Sequence, residues 1–189
     1  RMAGKLKQAF PQNNIMVGLP SSNLEVFSME ENRDQGDAWE QKPSLLSWIP
    51  PKNFLFNIRD QKVENVFQEI AHNFFPAAEK EINEQLCGVL NEYPAELTED
   101  ILLIHIHTYR VSDYQVYVAV NPSGFTHEAI TSQPKIVFTL LSPKEKSPQS
   151  HLQMLSEIAK LSLNKHFTPA IVQSKKHKDF IKKMREIQQ

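Results

Sequence analysis

The feature that most restricts the fold of this chain lies between residues 101 and 141. Three runs of strand length follow one another there: "ILLIHIH" (101–107), "YQVYVAV" (114–120) and "KIVFTLL" (135–141). The last is apolar without alternation, the pattern of a central strand covered on both faces. The middle run sets Val116, Val118 and Val120 against Gln115, Tyr117 and Ala119, which predicts a strand with one half-exposed face. A sheet with a doubly covered centre requires helices on both sides, and the flanking sequence offers them. Upstream, Asp60 is placed to cap a helix whose positions Val63, Val66, Phe67, Ile70 and Phe74 keep the 3.6-residue period. Beyond Pro76 a second helix carries Ile82, Leu86, Val89 and Leu90. Downstream, Ser150 and Gln153 form a capping-box pair. The helix they open has a stripe of Leu152, Leu155 and Ala159, widened by Met154, Ile158 and Leu161. A last helix is expected from near Ser174, packing through Phe180, Ile181, Met184 and Ile187. With "FLFNI" (54–58) as a first strand, the order β-α-α-β-β-β-α-α predicts an α/β fold, a mixed β-sheet flanked by helices on both faces.

The 189 residues allow one domain of ordinary size and an extension. Residues 1–43 hold Pro11, Pro20 and Pro43, Gly4, Gly18 and Gly36, and the acidic run "MEENRDQGDAWEQ"; they read as an N-terminal linker or extension before a domain spanning 44–189. A formal net charge of −1 gives no pull toward nucleic acid, so no nucleic-acid partner is expected. Cys87 is the single cysteine, which excludes an internal disulfide and a cysteine-built metal site; its helical context predicts an inert, buried thiol. No run reaches the roughly 18–20 apolar residues that span a bilayer, and "RMAGKLKQAF" lacks a signal-peptide core, so the chain reads as soluble. The five glycines never cluster into a phosphate loop, and no G-x-S-x-G elbow occurs.

Chemistry therefore rests on histidine. His105 and His107, two apart in a strand, point to one face beside Ile101 and Leu103. His105 is expected to be half-buried and hydrogen-bonded to a neighbour. His72, His127, His166 and His177 stand in polar or helical surface contexts and are expected to be solvated. No helix carries an H-x-x-x-H pair, and His105, His107 and His151 lack a carboxylate companion, so no metal ligands are predicted.

The segment "PKIVFTLLSPKEKSPQSHLQMLSEIAKLSLNKHFTPAIVQSKKHKDFIKKM" (134–184) resembles the back half of the IIA domains of the bacterial phosphotransferase system, fructose/mannitol/nitrogen type, also called EIIA type 2. In that family an apolar strand ending in Pro precedes a polar loop and then "HL" opening a long helix. "FTHEAITSQP" (125–134) is similar to a loop of the same family, and the resemblance extends over residues 44–187. It implies the family's α/β fold and, laid on the chain without gaps, several roles. The family's phosphoryl-accepting histidine falls on His107, and the histidine of "HL", which stabilises the phosphate, falls on His151. The Arg–Glu pair sixteen residues before the acceptor falls on Asn91–Glu92, so the resemblance implies Asn91 and Glu92 as binding residues; His105, beside the acceptor on the same strand face, is a further binding candidate. The family Arg is thus Asn91, the Pro before the acceptor is Ile106, and the glycine-rich approach is "PAELTEDILLI". Glu96, Glu99 and Asp100 there are expected to oppose a phosphoryl dianion. These departures favour a cytoplasmic regulatory or interaction domain, attached to a membrane transporter of antiporter, permease or anion-exchanger type at the inner face of the membrane. Such a domain is not phosphorylated, needs no cofactor, and has the transmembrane part of its own polypeptide as partner, with a homodimer set by the transporter. The alternative is a phosphocarrier that takes a phosphoryl group on His107 from other phosphotransferase-system proteins.

Overall fold

A computed structural model of the chain describes residues 45–188, apart from residues 57 and 59. The linker read over residues 1–43 lies outside the described residues. A five-stranded mixed sheet forms the middle layer, built from β1 (Phe54–Leu55), β2 (Ala95–Thr98), β3 (Ile101–Thr108), β4 (Gln115–Val120) and β5 (Ile136–Pro143). The spatial order is β1-β4-β5-β3-β2. β3 runs parallel to β5, β4 runs antiparallel to β5, and β2 closes a hairpin on β3. Helices α1 (Val63–Phe74) and α2 (Glu79–Glu92) cover one face, while α3 (Pro148–Ser162), α4 (Phe167–Val172) and α5 (His177–Gln188) belong to the other. The α/β class and the two-faced cover are those the sequence predicts.

β5 is buried along its whole length, as its unbroken apolar run requires. Its side chains alternate between two cores. Ile136, Phe138 and Leu140 meet Ile101 and Leu103 of β3 and Met154, Ile158, Phe167 and Phe180 of the helices; Val137 and Leu141 join Leu102, Ile104 and Ile106 against α1 and α2.

Six local features differ from expectation. β4 is buried on both faces, because Phe74 and Phe75 close on Tyr117 from the α1 side with ring centroids at 4.8 and 6.5 Å. β1 is only two residues long. α1 starts at Val63 rather than at an Asp60 cap; Asp60 Oδ1 instead accepts the Lys62 N–H at 2.9 Å, an Asx turn ahead of the helix. α3 begins two residues before Ser150, with Ser147 in the cap position, and buries Met154 and Ile158 while Leu152 faces solvent. Between α3 and the last helix lies the separate α4; the Ser174 hydroxyl donates to the Ala170 carbonyl and closes α4 rather than opening α5. β2 is an additional strand, and its pairing requires no alternation because all four residues are only half-buried.

Candidate histidine site

Register brings the site together. In the parallel β3–β5 pair, His105 lies opposite Leu140 and His107 opposite Ser142. On the face covered by α3, the row Ile101, Leu103 continues as His105, His107, and the row Ile136, Phe138, Leu140 continues as Ser142. The apolar core thus turns polar at the carboxyl ends of two parallel strands, where α/β sheets open their crevices. His151 sits in the first turn of α3, one and two turns before Met154 and Ile158, and so faces the same place.

The three imidazoles converge. Ring centroids are 4.5 Å apart for His105–His107, 4.2 Å for His105–His151 and 4.8 Å for His107–His151. Ser142 Oγ lies 3.2 Å from His105 Nε2 and 3.1 Å from His151 Nδ1, a hydroxyl shared by two rings. His105 and His151 are half-buried, and His107 is exposed. Burial, reinforced by the charges of His151 and His107, lowers the His105 pKa to about 3. Burial, then His107, also lowers His151. Both rings are therefore uncharged at neutral pH, and the half-buried, hydrogen-bonded state expected of His105 is what the fold provides.

Asn91 and Glu92 make no hydrogen bond or ion pair with this cluster among the described residues. They are exposed at the end of α2, which packs on the opposite face. Nor do the acids of "PAELTED" bear on it. Glu99 and Asp100 lie in the turn before β3, Asp100 about 23 Å along the strand from His107, and Glu96, paired with Leu102, is about 17 Å from it at about 3.3 Å per residue. Glu96 accepts the Ser132 hydroxyl and the N–H groups of Thr131 and Ser132, the latter two at 3.0 and 2.8 Å, and these bonds hold its pKa at about 2; Asp100 takes Lys135 at 2.8 Å. The opposing field expected from sequence adjacency is removed by the extension of the strand.

The loops at the histidine end carry cations that are already engaged. Arg110 turns toward α2 and donates to Glu81 at 2.9 Å; Lys146 pairs with Asp113 at 2.6 Å; Lys144 Nζ lies 4.5 Å from the centre of the Tyr109 ring. Elsewhere, His72 and His166 are exposed as expected. His127 is not: its side chain is 6% exposed and pairs with Glu64 at 3.3 Å. His177 is half-buried with Nε2 donating to the Ile49 carbonyl at 2.9 Å. Cys87 is half-buried. Ser142 is the residue that sequence reasoning missed; its signal was a serine, the second hydroxyl after Thr139, closing the mostly apolar "IVFTLLS".

A family profile described as "Phosphoenolpyruvate-dependent sugar phosphotransferase system, EIIA 2" matches residues 48–186. The chain belongs to this family. Two solved structures share the EIIA type 2 fold. The nitrogen regulatory protein IIA-Ntr from Neisseria meningitidis is 16% identical with a TM-score of 0.60, over 74% of this chain and 95% of that one. The mannitol-specific cryptic phosphotransferase enzyme IIA CmtB from Escherichia coli is 11% identical with a TM-score of 0.54, over 76% and 99%. No curated protein sequence matches the chain. Among the described residues of this EIIA domain, no helix is long and apolar enough to cross a membrane.

Proposed function

We propose that this EIIA domain is a regulatory or interaction domain of a membrane transporter, held at the cytoplasmic face by the transmembrane part of the same polypeptide, and that it does not relay phosphoryl groups. One observation supports the reading: the histidine cluster holds nucleophilic imidazoles and, among the described residues, no free cation beside them. A transferring phosphoryl group spreads negative charge over its oxygens, and catalysis of that step is mostly positioning and electrostatic stabilisation. Here two of the three rings are neutral at pH 7, and Arg110, Lys144 and Lys146 are occupied by Glu81, the Tyr109 ring and Asp113. A homodimer follows from the symmetry of the transporter. Excising residues 44–189 from the full-length protein is expected to change solute flux in vesicles severalfold without preventing insertion. Unchanged flux contradicts the proposal, as does a reading frame without hydrophobic spans.

A second reading has one observation in its favour. His107 is exposed, and the His151 ring lies beside it at 4.8 Å, an arrangement suited to accepting a phosphoryl group on one nitrogen of His107 and binding its oxygens from His151. In that case the domain is a phosphocarrier supplied by other phosphotransferase-system proteins.

A further inference from the structure

We propose that His105, His107 and His151 form a binding site for one divalent transition-metal ion of the zinc type, with a fourth coordination position open to solvent. The inference goes beyond the function proposed above and depends neither on a transporter nor on the absence of phosphorylation. Each of the three rings offers a ligand nitrogen, and these nitrogens lie within 4.8 Å of one another. Tetrahedral coordination with bonds of 2.0–2.1 Å sets neighbouring nitrogens about 3.3 Å apart. The widest pair therefore has to close by up to about 1.5 Å. Rotation of exposed His107 and a small shift of the first turn of α3 supply that movement.

The chemistry of the donors selects the ion. Three imidazoles with no carboxylate among them suit zinc, copper, nickel or cobalt, and not calcium or magnesium, which demand oxygen. The cluster also differs from the other paired histidines of the domain. His72 has Glu79 at 3.1 Å and His127 has Glu64 at 3.3 Å, each a carboxylate partner. Among the described residues, His105, His107 and His151 meet each other and the Ser142 hydroxyl, and no carboxylate.

Ser142 supplies the outer support such a site needs. A hydroxyl oxygen has two acceptor lone pairs, so Ser142 Oγ can accept from both His105 Nε2–H and His151 Nδ1–H. Each ring is then fixed in orientation, with its other nitrogen left unprotonated as a ligand. The third ring comes from the exposed end of β3, which leaves one side of the ion to water or a small anion.

Titration of the purified, metal-free full chain with Co²⁺ alone, followed by displacement with Zn²⁺, tests this. One equivalent of Co²⁺ is expected to give the intense visible absorption of a tetrahedral site, and Zn²⁺ to abolish it. His107→Ala, exposed and therefore compatible with folding as checked by circular dichroism, is expected to weaken binding tenfold or more. His151→Ala should do the same, while His72→Ala leaves it unchanged. Absence of both the cobalt spectrum and zinc binding overturns the proposal. So does binding retained within twofold in the His107→Ala/His151→Ala double variant, or binding lost in His72→Ala instead. No phosphotransferase protein or transporter enters the experiment, so its failure and that of the proposed function are separable.

Discussion

Phe138→Ala is expected to lower the unfolding free energy by about 3–5 kcal/mol, the range for truncating a fully buried aromatic side chain. Phe138 stands in the middle of β5, the strand that joins the two halves of the sheet, and is 0% exposed. It lies opposite Leu103 on one neighbour and Val118 on the other, and its ring stacks on Phe167 of α4 at 6.1 Å. Strands on both sides and a helix above leave the cavity little room to collapse, which places the cost toward the upper end of the range. Urea unfolding should show a large fall in midpoint at unchanged slope. Leu163→Ala, at a position 78% exposed just after α3, should stay within about 0.5 kcal/mol of the wild type. A Phe138 variant as stable as the Leu163 variant would mean that the doubly covered central strand is misplaced.

The second large effect is a loss of stability in mild acid that originates at the site itself. His105 has a pKa of about 3 in the folded chain against an ordinary 6.5. Between those values the unfolded chain binds a proton that the folded chain refuses, so stability rises with pH across this window and is lost as pH falls below about 6.5. His151, lowered for the same reason of burial, contributes in the same direction. Because the ring is partly open to solvent, the full shift overstates the energy. A loss on the order of 1–2 kcal/mol by pH 4.5 is expected from His105 after that discount. Glu96, held at about 2, adds a loss of the same sign only below the ordinary glutamate range, so the interval from pH 6.5 to 4.5 isolates the histidines. His105→Leu, which extends the Ile101–Leu103 row, should flatten the stability–pH curve there. The same slope in variant and wild type would place His105 in solvent.

Most of the layer structure was legible because it is written in local periodicity. The 3.6-residue spacing of Val63, Val66, Phe67 and Ile70 and the unbroken run of β5 each have one packing solution, and the fold adopts it. β2 was illegible because an edge strand of half-buried residues needs no alternation. The face of β4 was misread because Tyr117 counts as polar in a pattern, yet its ring is buried under Phe74 while its hydroxyl donates to Gln115 Oε1 at 2.5 Å. At the site, the side-by-side placement of His105 and His107 followed from strand geometry alone. The arrival of His151 and Ser142 did not, since it depends on the β3–β5 register and on where α3 starts. The expectation about Glu96, Glu99 and Asp100 failed for the converse reason: a few residues of sequence become about 20 Å when the chain is extended.

That the histidine cluster retains the nucleophile of an EIIA domain without the charge to support phosphoryl transfer is open to one decisive measurement. The full chain is incubated with phosphoenolpyruvate, enzyme I and the histidine phosphocarrier protein, and its intact mass is followed alongside a competent EIIA domain as positive control. The control should gain one acid-labile phosphoryl group while this chain gains none. An acid-labile phosphoryl adduct on this chain that disappears in His107→Ala and persists in His105→Ala would contradict that claim and establish the domain as a phosphocarrier.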